Sequence, residues 1–68
     1  MAPTTRRLGT RIKGLREAAG MSQATLATKA KLAREHVNRL EAGLHAPNLL
    51  VLQRLAKALG VPLTELLG

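Results

Sequence analysis

The chain has 68 residues, enough for one small domain with a modest core and too few for a second. It contains no Cys, which excludes a disulfide frame and a thiolate zinc site, and no Phe, Trp or Tyr, so its core must be Leu, Val, Ile, Ala and Met. Eleven Lys and Arg against four acidic residues give a formal charge of +7, for which a polyanion is the natural partner.

An aromatic-free palette suits helix packing better than a β-sandwich, and the punctuation predicts an all-α fold of five short helices. Residues 1–5 read as a flexible N-terminal tail and residues 6–68 as the domain. Thr4 or Thr5 can cap a first helix in which Leu8, Ile12 and Leu15 recur at the spacing of one buried stripe, ending at Gly20. Gly9 and Gly14 weaken its interior by about 0.5–1 kcal/mol each relative to Ala, so it depends on tertiary packing. Ser22 caps a second helix, with Met21 and Leu26 as a hydrophobic staple across its start. After a short break a third helix runs from Ala33 to Ala42, with Leu32 and Val37 in the same staple relation, and Gly43 stops it. Asn48 caps a fourth helix with an apolar stripe of Leu49, Leu52, Leu55, Ala56 and Leu59, ended by Gly60. Pro62 falls in the first turn of a last short helix.

Two helices joined by a tight turn in a small basic helical domain form the layout that lays the second helix in the major groove of DNA. The stretches LREAAGMSQATLA, RLEAG followed by Pro47, and LQRLAKALGVPLTELL, in this order and spacing, are similar to the helix-turn-helix family of the lambda and 434 phage repressors and Cro, the xenobiotic-response-element type. The resemblance covers residues 6 to 67. It implies that Ser22–Ala30 is the positioning helix and Ala33–Ala42 the recognition helix. It places Arg34, Glu35, Asn38 and Arg39 at base-reading positions. Their chemistry suits base reading, since Arg meets guanine O6 and N7, Asn meets adenine N6 and N7, and a carboxylate accepts from cytosine N4. A solvated face with a Glu35–Arg39 pair, worth about 0.2–0.5 kcal/mol, is the plainer alternative.

Ser22, Gln23, Lys31, Ala33, His36 and His45 are the candidates for the DNA backbone, with Gln23 matching the residue that holds a phosphate at the start of the positioning helix. Arg16 and Glu41 match an ion pair that joins the first and third helices. Three departures from the family pattern stand out. Ala33 replaces a capping Ser or Thr, Lys31 replaces a turn glycine and must accept its backbone geometry, and Leu44 stands where a basic residue often touches the backbone.

A single recognition helix spans few base pairs, so a homodimer on a palindromic operator is expected, with Leu50, Val51, Leu63, Leu66 and Leu67 as surplus apolar side chains for its interface. Two isolated His make a poor metal site, and no His–carboxylate–nucleophile set can be assembled around the lone Ser22, so neither metal, cofactor nor catalysis is expected. The longest apolar run, residues 49–52, is too short to cross a bilayer, and Gly and Pro interrupt the continuous amphipathic pattern of a membrane-surface helix. A transcriptional repressor at the bacterial or phage nucleoid, in the cytoplasm, is the leading reading. A restriction–modification controller or DNA-binding antitoxin of the same fold is its near alternative. A protein-interaction module with sequence-blind DNA binding is the distant one.

Overall fold

The computed structural model describes residues 5–68, which form five helices: α1 Thr5–Ala18, α2 Gln23–Ala30, α3 Arg34–Glu41, α4 Leu49–Leu59 and α5 Leu63–Leu67. Thr5 opens α1, and Thr4 with the rest of the expected tail lies outside the described residues. The all-α expectation holds, with no strand among the described residues.

The helix ends follow from local chemistry. Among the described residues, four adopt left-handed backbone conformations: Gly20, Gly43 and Gly60 with φ of 72°, 75° and 72°, and Lys31 with φ of 58°. Each lets the chain double back on the helix before it. The amides of Met21, Leu32, Leu44 and Val61 reach the carbonyls of Arg16, Ala27, Arg39 and Ala56 at 2.8–3.1 Å, the long bond of a Schellman motif. Glycine bears this conformation freely, whereas a side chain costs about 1–2 kcal/mol there, so Lys31 carries the strain that its place in the turn predicts.

At the opposite ends, Ser22 Oγ accepts from the Thr25 amide at 3.0 Å and Asn48 Oδ1 from the Val51 amide at 2.9 Å. Ala33 begins α3 with no side-chain cap. Pro62 stands just before α5 rather than inside its first turn, and its carbonyl accepts from the Glu65 amide.

The core takes one or more side chains from every helix: Ile12, Leu26, Val37, Leu40, Leu55 and Leu66 are at most 1% exposed. Met21 and Leu32 pack against this cluster, which contains their staple partners Leu26 and Val37. α2 packs on α3 and α4, α1 on α3 and α5, and α4 on α5. Two expectations change here. Leu49 is 59% exposed, because the buried stripe of α4 begins one turn later, at Leu52. Leu66 is a core residue: it and Leu63 lie three apart and share the inner side of α5, which removes Leu66 from the surface leucines.

Gly9 has a stronger role than its low helix propensity indicates. α1 crosses α3 so closely there that a Cβ would overlap the Leu40 carbonyl oxygen and lie 2.8 Å from that of Glu41. Both are backbone atoms, so no side chain can swing aside. Gly14 differs, because a Cβ added there would meet nothing within 4 Å. Gly14→Ala is therefore expected to stabilise the fold by about 0.5–1 kcal/mol. Gly9→Ala should cost about 1–3 kcal/mol or more through overpacking. Urea unfolding of the two variants beside the parent protein measures both, and a Gly9→Ala variant as stable as the parent would contradict the close crossing.

Candidate nucleic-acid interface

The candidate face is made by splitting α3 along its length. Val37, Leu40 and Glu41 are buried on the side that meets α1 and α2, while Arg34, Glu35, Asn38 and Arg39 are exposed on the other. The apolar positions 37 and 40 and the polar pairs 34/38 and 35/39 obey the helical spacing, so the sequence alone dictates which side turns out. Gln23, at the first turn of α2, joins Arg34, Glu35 and Asn38 around a shallow concavity of about 290 Å³. The side chains of Arg34, Glu35 and Arg39 form no hydrogen bond or ion pair within the described residues, and Glu35 does not pair with Arg39.

Behind this face sits a buried charged fork. Arg16 Nε donates to Glu41 Oε2 at 2.7 Å and Arg16 Nη2 to Glu41 Oε1 at 3.1 Å, joining the last turn of α1 to the end of α3. The third limb of the guanidinium, Nη1, donates to the Met21 carbonyl at 2.7 Å and so fixes the loop that leads into α2. Both residues are only 9% exposed. The hydrogen bond that Arg16 donates to Glu41, aided by the charge of the carboxylate, raises the Arg16 pKa above the ordinary value against the opposing effect of burial. A raised pKa means Arg16 stays charged at every pH below that of a free guanidinium, so its own titration adds no pH dependence to stability near neutrality.

The network continues outward. Gln23 Nε2 donates to Glu41 Oε1 at 3.1 Å, and Asn38 Nδ2 donates to Gln23 Oε1 at 3.3 Å. Sequence reasoning placed Arg16 with Glu41, and Gln23 and Asn38 each at the DNA face, but missed the links between them. Only the fold brings the first turn of α2 beside the last two turns of α3.

The backbone candidates are placed as follows. Ser22 is occupied as the cap of α2, also donating to Thr25 Oγ1 at 2.9 Å. Lys31 and Ala33 are exposed in the turn. His36 is half-buried with its Nε2 unpartnered, and its ring meets that of exposed His45 edge-to-face at 4.9 Å. Among the described residues no group of three His, Cys, Asp or Glu could hold a metal ion. Likewise, none of their helices is long and apolar enough to cross a membrane.

A family model, described as helix-turn-helix, matches residues 12–66. The chain belongs to the Cro/C1-type helix-turn-helix family. Among solved structures, the restriction–modification controller protein C.AhdI from Aeromonas hydrophila shares 37% identity over 91% of this chain and 94% of that one, with a TM-score of 0.90. Apo ComR from S. thermophilus shares 38% identity over 91% of this chain, with a TM-score of 0.84, and this chain spans only 21% of its length. The clp gene regulator ClgR from C. glutamicum, 21% identical with a TM-score of 0.86 over 91% of this chain and 80% of that one, shares the fold. No curated protein sequence matches. Family and fold are those of DNA-binding transcription regulators.

The fork makes a prediction about stability. Arg16→Ala leaves the Glu41 carboxylate buried without its countercharge and should cost about 3–5 kcal/mol. Any accompanying loss of DNA affinity should track unfolding in a denaturant titration; full stability with lost affinity would give Arg16 a different role.

Proposed function

We propose that this chain is a sequence-specific regulator of transcription, acting as a repressor, that inserts α3 into the major groove of duplex DNA. The observation that carries this reading is the exposed row of Arg34, Glu35, Asn38 and Arg39 on a helix whose opposite side is buried. Arg34 and Arg39 suit guanine, Asn38 suits adenine and Glu35 suits a cytosine amino group. Ser22, Gln23, Lys31, His36 and His45 flank that row as backbone contacts. At Ala33 the missing side-chain cap leaves first-turn amides of α3 available to a phosphate. The charge of +7 favours the encounter with any duplex, while the four outward side chains supply discrimination.

We further propose a homodimer on an inverted repeat. Leu50 and Leu67 are 54% and 42% exposed, Val51 and Leu63 are half-buried beside them in sequence, and Leu44 and Leu49 add 75% and 59% exposed neighbours on the loop and first turn before them. So many exposed leucines on a chain this small favour a covered surface. A second reading, a restriction–modification controller, is favoured by the match to C.AhdI along nearly the whole of both chains; a restriction–modification gene pair beside its coding sequence would support it.

Selection from randomised duplexes tests the reading. An inverted repeat should emerge, bound roughly 10³-fold or more above background at physiological salt. Arg34→Ala should lose about 1–3 kcal/mol on that site and relax preference at one base pair. The absence of any motif, with a steep salt dependence on all duplexes, would reduce the protein to a charge-driven binder. In sedimentation at tens of micromolar the parent protein should be dimeric and Leu50→Glu monomeric; a parent protein monomeric both free and on DNA would remove the dimer.

A further inference from the structure

The hydrogen-bond chain from Arg16 to Asn38 has a fixed polarity. Both oxygens of Glu41 accept from the Arg16 guanidinium, so its carboxylate offers acceptors to its neighbours. Gln23 can therefore meet Glu41 Oε1 only with its amide nitrogen. Its carbonyl oxygen is left facing α3, and Asn38 can answer it only with Nδ2. Each amide in the series is thus oriented by the one beneath it, down to a charged group held nine-tenths buried.

We infer that Gln23 is a specificity-positioning residue, which holds the Asn38 amide with Oδ1 and one N–H free for a base edge. That leftover pair, one acceptor and one donor, is the complement of adenine N6 and N7. The inference rests on the DNA-reading role of α3 proposed above. Turning the Asn38 amide over would exchange its two ends and break the bond to Gln23, so the side chain arrives at the groove with its reading sense already set. At 3.3 Å the outermost link is the loosest of the network, and Glu41 keeps both bonds to Arg16 without Gln23. Removing Gln23 should therefore loosen Asn38 and leave the fold intact. A glutamine that only held a phosphate would, by contrast, act equally on every sequence.

The test uses the full chain and the duplex selected by the parent protein, with every single-base variant of that site. Affinities are measured for the parent, Asn38→Ala, Gln23→Met and the double variant, with Gln23→Ala as a shorter replacement if Gln23→Met melts early. Asn38→Ala should relax preference at one base pair, an adenine. Gln23→Met should lower discrimination at that same base pair by about five-fold or more, and should lower it no further when Asn38 is already Ala. Equal weakening of all sites by Gln23→Met, an unchanged profile, or an Asn38→Ala variant that relaxes no position would overturn the inference while leaving the regulator reading in place. A parent protein that selects no motif would remove that reading and the inference with it.

Discussion

The Arg16–Glu41 fork is the constraint on which the rest of this structure depends. It commits all three arms of one guanidinium: two to the carboxylate at the end of α3 and one to the carbonyl of Met21, at the doorway to α2. Three helices are thereby referred to a single planar group. Burying two charges is costly, and an apolar pair of the same volume often does as well for stability alone. What leucines could not supply is direction. A guanidinium accepts its partners only in fixed in-plane directions, whereas aliphatic contacts tolerate sliding. In a core without a single aromatic ring, such a directional element sets the angle at which α3 is presented.

Close backbone approach complements the fork. At Gly9 the backbones of α1 and α3 touch, and a few residues along Arg16 reaches Glu41, so the same two helices are pinned at two points. Two pins fix both the distance and the rotation of α3, which one could not. The α2–α3 turn contributes less rigidity. It holds a lysine where glycine would rest more easily, and the helix after it starts on an alanine. Both choices lower intrinsic stability beside the surface proposed to meet DNA, where an added cation and uncapped amides are useful.

Much of this was legible in the sequence because it depends on local rules. Gly20, Gly43 and Gly60 end helices for reasons contained in their own backbones, and Ser22 and Asn48 begin them for reasons contained within one turn. The division of α3 into inner and outer faces follows from periodicity, and the role of Arg16 and Glu41 came from family resemblance. The sequence was misleading where an outcome depends on where the core stops. Leu49 continues the stripe of α4 in projection but overhangs its end, and Leu66 looked like surplus yet fills the centre. The close crossing at Gly9 and the Gln23–Asn38 link were invisible, because each is a meeting between residues on different helices that no spacing rule relates.

The proposed recognition face consequently has two kinds of position. The side chains of Arg34, Glu35 and Arg39 project from α3 without a bond to the remainder of the described residues, so exchanging them leaves the scaffold's own bonds untouched. Asn38 is tethered through Gln23 to the buried fork. On the proposed reading, a family built on this plan could drift to new target sequences by independent steps at three sites. At the fourth, if Gln23 positions Asn38 as inferred above, two residues would have to move in concert, which would make that contact the slowest part of its vocabulary to evolve.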